Sequence, residues 1–288
     1  MFVDHRGDPS ALRFLIGHDL RASRERAGMT QSVAGKVIGC SHSKIVYLET
    51  GKTQQRPDEV TALLRAYGAD VAHVDRMASL AGRADQGTWW ASFNDVLPNW
   101  FKTFVGLEGL ATAEFVYKAL VLPGQLQTED YATALLVDNL RVPPMEVQQV
   151  VRGRKARQRV ADDEPLRFRT VIEEYALDRI VGGPTVMRAQ LRHLLTLMER
   201  DNVELHVMPV STTVHDGLDG EFLFLDFVEA QSIGYIEYPN GAVYVQDQDQ
   251  VELYALTANR LCTTALSEAD SEVLIADRLD DLDKILEG

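Results

Sequence analysis

At 288 residues, with 45% hydrophobic and 25% charged side chains, the chain has the size for two folded domains, and nothing in its composition marks it as disordered or fibrous. No apolar run approaches the ~20 residues of a membrane span, and the opening MFVDHRGDPS has no basic start followed by an apolar core, so a cytoplasmic protein without a membrane partner is expected. A net charge of -14 argues at first against a nucleic-acid partner, but the charge is unevenly spread. Residues 1–83 carry 12 Lys and Arg against 9 Asp and Glu, whereas the rest of the chain carries 17 against 34. With a Debye length of about 8 Å at physiological salt, an acidic half a few nanometres away hardly opposes a basic face in contact with phosphate. Cys40 and Cys262 are far apart in the chain and suggest neither a disulfide scaffold nor a cysteine-based zinc site. Cys40 reads as a small residue packed in a turn.

Taken in order, residues 1–10 form a lead, and a first helix runs from Ser10 to about Ala27 with Leu12, Leu15, Ile16 and Leu20 as its inner stripe and Gly28 as its stop. Thr30 can cap a second helix from Gln31 to about Ile38, which Gly39 ends. Ser41 can cap a third that turns Ile45 and Leu48 inward and leaves His42, Ser43, Lys44 and Tyr47 elsewhere, with Gly51 at its end. Two short helices joined by a tight glycine turn are the frame that lays its second helix in the DNA major groove. Pro57 and Asp58 open a fourth helix bearing Val60, Leu63, Leu64 and Tyr67, closed by Gly68. Asp70 begins a fifth through Val71, Val74, Met77 and Leu80. The expectation for residues 1–83 is an all-α, five-helix helix-turn-helix domain.

The run MTQSVAGKVIGCSHSKIVYLETGK (29–52), with Leu20, Arg21 and Arg24 before Gly28, the pair Thr30 and Gln31, and Leu48, Glu49 and Gly51 at its end, resembles the lambda/434-repressor-like class of helix-turn-helix domains, the xenobiotic-response-element class. The resemblance assigns Arg24 and Glu49 a structural ion pair tying the first helix to the third, and gives Gln31 a bond to a backbone phosphate at the start of the second helix. His42, Ser43, Lys44 and Tyr47 are the candidates for base edges, Lys44 by donating to guanine O6 and N7. Thr30 and Ser41 cap the two helices at the same surface, and Lys52, Gln54 and Arg56, just after the third helix, are placed to hold phosphate. Because single heads of this kind bind weakly, a homodimer spanning two half-sites about 10 base pairs apart on double-stranded DNA is expected.

Residues 84–288 read as a larger, acidic α+β domain with a mainly antiparallel sheet. The polar stretch GRADQGT (82–88) is the candidate linker. Trp89, Trp90, Phe93, Trp100, Phe101 and Phe104 follow; only Lys102 interrupts them, so they read as core or interface anchors and not as a platform for stacking bases. Helices are expected at 108–119, 128–139 and 144–161. The last carries the basic run Arg152, Arg154, Lys155, Arg157 and Arg159, read as a face pairing with acidic neighbours. Strands are expected at 166–172, 203–208, 221–227, 232–238 and 242–246, with Pro239, Asn240 and Gly241 as a hairpin turn, two helices up to about Arg200, and two final helices near 250–265 and 267–286.

The stretch VLPGQLQTEDYATALL (121–136), with 171–195, 203–209, 220–227 and 235–237, resembles a domain of unknown function described as antitoxin-like and found in actinobacterial regulators downstream of just such a head. The resemblance implies a domain that captures a small neighbour-encoded protein; symmetry makes the same domain the expected seat of dimerisation, and a pocket between the aromatic cluster and the sheet would serve a small-molecule effector. His206, His215 and Asp216, with Asp219 and Glu221, are the best constellation for catalysis or metal binding, but they lack helical or hairpin ligand spacing. With no GxGxxG, GxxxxGK[ST] or GxSxG, no enzyme, metal or cofactor is expected. The function expected is a sequence-specific transcriptional regulator controlled through its second domain, or an antitoxin-like module that autoregulates its operon.

Overall fold

The computed structural model describes residues 8–83, 90–162 and 166–287. The lead at 1–7, most of the expected linker, Trp89 and Pro165 fall outside them. The chain forms two compact units: one of residues 1–94, 98–111 and 226–232, the other of 95–97, 112–225 and 233–288.

The first unit opens with α1 (Pro9–Arg26), α2 (Gln31–Val37), α3 (His42–Glu49), α4 (Pro57–Ala66) and α5 (Val71–Arg83). The inward stripes expected of them meet in one core of Leu12, Ile16, Leu20, Ile45, Leu48, Val60, Leu63, Leu64, Val74, Met77 and Leu80. Val71 is an exception: at the first position of α5 it is exposed. The start of α1 also differs, since Asp8 and not Ser10 caps it, accepting from the amides of Ser10 (2.7 Å) and Ala11 (3.0 Å) while Pro9 takes the first helical position. Asp8 is fully buried and its second carboxylate oxygen accepts from the indole N–H of Trp90. A sixth helix, α6 (Asn99–Leu110), packs on α1, with Phe104, Val105 and Leu107 buried. Trp90 and Phe104, expected to anchor the second domain or an interface, are therefore buried within the first unit.

The second unit holds a six-stranded mixed sheet in the order β3-β2-β1-β4-β5-β6, from β1 (Ala113–Lys118), β2 (Arg167–Glu173), β3 (Val203–Met208), β4 (Phe222–Asp226), β5 (Ile233–Tyr238) and β6 (Gly241–Val245). β1, β2 and β3 pair in parallel, with Phe115 beside Arg169 and Val171 beside His206; β4, β5 and β6 form the expected antiparallel meander. Parallel pairing requires crossovers. These are supplied by α7 (Glu129–Leu136) and α8 (Val147–Arg157), then by α9 (Glu174–Asp178) and α10 (Pro184–Met198). The helix α11 (Gln248–Thr264) closes one face over Phe115, Tyr117, Val171, Met208 and Phe222. The last helix, α12 (Glu268–Glu287), packs with α10 and against β3.

The helix expected at 108–119 is the main correction. Its first residues end α6 and the rest are strand β1, whose central four residues are all buried. Among the described residues no helix is long and apolar enough to cross a membrane.

Candidate nucleic-acid interface

The local sequence fixes the geometry of the α2–α3 pair. Thr30 accepts from the amide of Val33 and Ser41 from that of Lys44, each at 3.3 Å, so each short helix starts on a hydroxyl cap. Gly39, between them, adopts φ +65, a conformation a β-carbon would strain. A close crossing sets α3 against α1: a β-carbon on Gly17 would stand 2.7 Å from the carbonyl oxygen of Leu48. The fully buried Gln55 then pins the loop after α3, donating to the carbonyls of Leu48 (2.7 Å) and Arg13 (2.9 Å).

Arg24 and Glu49 form a two-armed ion pair, Nε to Oε1 at 2.5 Å and Nη2 to Oε2 at 2.9 Å, with 7% and 6% of each residue exposed. The remaining arm of Arg24 donates to the carbonyl of Met29 at 2.9 Å, fixing the chain's entry into α2. The bond to Glu49 holds the Arg24 guanidinium above its ordinary range. Burial, then the charge of Glu49, pushes the nearby Tyr67 hydroxyl up to about 12. Gln31 joins the pair by donating from Nε2 to Glu49 Oε2 at 2.7 Å, so one of its two amide hydrogens is engaged inside the protein. Arg24, Gln31 and Glu49 line a shallow cleft with Arg21, Glu25, Val46 and Thr50.

On the outward side of α3, Ser41, His42, Ser43 and Tyr47 are exposed, while Ile45, Leu48 and Glu49 are buried. Lys52 is exposed as well and sets its ammonium 6.0 Å from the centre of the Tyr47 ring, within range of a cation–π contact. Lys44 is different: its ammonium is held by Glu59 of α4. Arg56 forms a two-armed pair with Asp58, 3.1 Å on each arm, both groups exposed. Gln54 is exposed beside them. The face is therefore basic and polar, yet two of its cations already have carboxylate partners. Sequence reasoning missed Glu59, Asp58 and Gln55 as partners. The first two lie in the acidic first turn of α4 that its Pro57 start advertised, but nothing in the sequence signals Gln55.

The second unit divides the constellation expected around His206. Asp216 pairs with Arg260 (2.7 Å) and Glu221 with Lys118 (2.7 Å). His215 accepts from the Gly217 amide (3.2 Å) and faces Glu173 (3.5 Å), the carboxylate that also takes the Tyr117 hydroxyl at 2.6 Å. Burial and Glu173 together hold that phenol far above its usual range. His206 keeps different company, Glu204 and Cys262, and burial pushes the Cys262 thiol up to about 11.

The basic run on α8 also departs from expectation. Arg154 donates to the side-chain amide oxygen of Gln127 (2.7 Å) and Lys155 to that of Gln158 (2.5 Å), so for these two residues amides and not carboxylates receive the hydrogen bonds. Desolvation, then Arg157, pushes Arg154 down to about 10.

Residues 15–77 match the family described as a helix-turn-helix domain, and residues 101–277 match the domain of unknown function DUF5753. No curated protein and no solved structure matches the chain.

Proposed function

Because the chain belongs to the family of the domain of unknown function DUF5753 and carries a helix-turn-helix domain ahead of it, we propose that it is a sequence-specific transcriptional regulator of the xenobiotic-response-element class that lays α3 in the major groove of double-stranded DNA. The observation that carries the reading is the two-sidedness of α3, with Ile45, Leu48 and Glu49 buried and Ser41, His42, Ser43 and Tyr47 presented to solvent. His42, Ser43 and Tyr47 meet base edges; Thr30, Lys52, Gln54 and Arg56 meet phosphate. Gln31 reaches a phosphate with the amide hydrogen that Glu49 does not hold. Lys44 reads a base by exchanging Glu59 for it, so Glu59 sets how readily the lysine engages DNA.

Three substitutions separate these roles. Lys44→Ala should weaken cognate binding by about 1–3 kcal/mol and relax preference, whereas Lys52→Ala should weaken all sequences alike and flatten the salt dependence. Glu59→Gln, which frees Lys44 and removes a negative charge, should tighten binding to any duplex by roughly three- to tenfold at low salt. Fluorescence anisotropy on cognate and scrambled duplexes across a salt series measures all three, and a Glu59→Gln protein that binds no better would remove the exchange from the account. If genome-wide mapping of bound fragments shows no preferred target, the regulator reading fails.

The same reading gives the second domain the tasks of pairing two chains and receiving a signal, either a small molecule or a small neighbour-encoded protein, inside the cytoplasm and without chemistry of its own. Light scattering should then find a dimer at binding concentrations. A monomer that still binds its operator tightly contradicts this.

A further inference from the structure

Three side chains of the second unit, unused by the DNA-binding reading, converge at the sheet edge. Glu204 and His206 stand two residues apart on β3 and so share one of its faces. That face also carries Met208 and is covered by α11, whose last turn supplies Cys262. One ligating atom from each of Glu204, His206 and Cys262 lies within 4.8 Å of the others.

The hydrogen bonds of the imidazole indicate what belongs there. His206 is 8% exposed, with Nδ1 2.8 Å from the carbonyl oxygen of Leu266 and Nε2 2.8 Å from Glu204 Oε1. A carbonyl oxygen can only accept, so Nδ1 carries the hydrogen, and a neutral ring then turns a lone pair at Nε2 toward a carboxylate oxygen. Two acceptors in contact require a cation between them, either a proton or a metal ion. A backbone carbonyl that fixes one ring nitrogen and leaves the other for a metal is the usual outer support of a histidine ligand. Cys262, in the last turn of α11, occupies the third corner.

We propose that Glu204, His206 and Cys262 form a binding site for a divalent ion of the zinc type. The donor set selects the class: imidazole with thiolate suits zinc and its late first-row neighbours, whereas calcium and magnesium take oxygen ligands. The charges also balance, since one carboxylate and one thiolate meet the two positive charges of the ion. Tetrahedral zinc with bonds of about 2.0–2.3 Å holds its ligand atoms roughly 3.5 Å apart, so from a spread within 4.8 Å the site closes by at most about 1.3 Å. On binding, the thiol proton and the proton held between His206 and Glu204 both pass to solvent, the metal forms bonds to sulfur, nitrogen and oxygen, and a water completes the fourth position. The ion would tie the end of α11 to the edge strand β3.

The site stands apart from the DNA-binding reading and is tested without DNA. The full chain, stripped of metal by a chelator, is titrated with Co²⁺, whose thiolate charge-transfer absorption reports a sulfur ligand. The expected result is a band saturating at one equivalent, kept in Cys40→Ser, lost in Cys262→Ser, and shifted to at least tenfold weaker binding in His206→Ala and Glu204→Gln, with circular dichroism verifying that each variant is folded. Since the chain has two cysteines, the serine pair locates the sulfur unambiguously. The proposal is overturned by the absence of a saturable band in the unsubstituted chain, as a plain histidinium–carboxylate pair would give, or by a band that survives Cys262→Ser.

Discussion

Glu49→Ala should remove about 3–5 kcal/mol from the stability of the head, the cost of stripping one partner from a buried ion pair. The magnitude follows from what the carboxylate holds: both oxygens are engaged, by two nitrogens of Arg24 and by the amide of Gln31. Removing it leaves a guanidinium 7% exposed with the Met29 carbonyl at 2.9 Å and a longer contact to Glu25 at 3.4 Å. Small domains have total stabilities of about 5–15 kcal/mol, so the first unfolding transition should move down by many degrees or merge with the baseline. The double variant Arg24→Ala, Glu49→Ala should recover part of the loss, since no charge is then stranded. Thermal unfolding followed by tryptophan fluorescence suits the measurement, because Trp90 is hydrogen-bonded to Asp8 at the start of α1, in the same unit. An unchanged midpoint in Glu49→Ala would reduce the pair to a surface contact.

The second large effect is expected in the other unit, at Gln190. This side chain of α10 is fully buried; it donates to the carbonyl of Leu126 at 2.8 Å and accepts from the amide of Thr128 at 2.7 Å. It secures the stretch at 121–128 together with other glutamines. Gln127 donates to the Leu122 carbonyl (2.7 Å), and Gln158 donates to the carbonyls of Gly124 (2.7 Å) and Gln127 (2.8 Å). Gln190→Ala strands one backbone acceptor and one donor, each costing about 1–3 kcal/mol, so a loss of roughly 2–6 kcal/mol is expected. Urea unfolding should show the fall in midpoint, and hydrogen exchange at the Thr128 amide should accelerate. Native protection of that amide in the variant would mean that water replaces the side chain there.

Local signals made the head legible. Caps at Thr30 and Ser41, stops at Gly28, Gly39, Gly51 and Gly68, and a 3.6-residue apolar period are interactions between near neighbours in sequence, and the five helices formed where those signals placed them. What escaped was non-local. The run AEFVYK of β1 was read as the end of a helix because a strand buried on both faces shows no alternation, only a short apolar run. The grouping of Trp90 and α6 with α1 depends on Asp8, roughly eighty residues away, and Gln55 looked like an ordinary loop polar residue. At the interface, the orientation of α3 could be read from Ile45 and Leu48, but the capture of Lys44 by Glu59 could not, since composition alone does not say which cation a neighbouring helix will neutralise. His206 was singled out for its residue type, whereas the companions that give it meaning came from its own strand and from a helix more than fifty residues on.

One border of the sheet, at β3, is partly occupied. At β3 the Val207 amide already donates to the Ser271 hydroxyl and the Val207 carbonyl accepts from the Leu266 amide, each at 2.9 Å. With its backbone groups so occupied, Val207 has none left for a foreign strand, and the junction of the last two helices acts as a stopper against runaway polymerisation at that point of the edge.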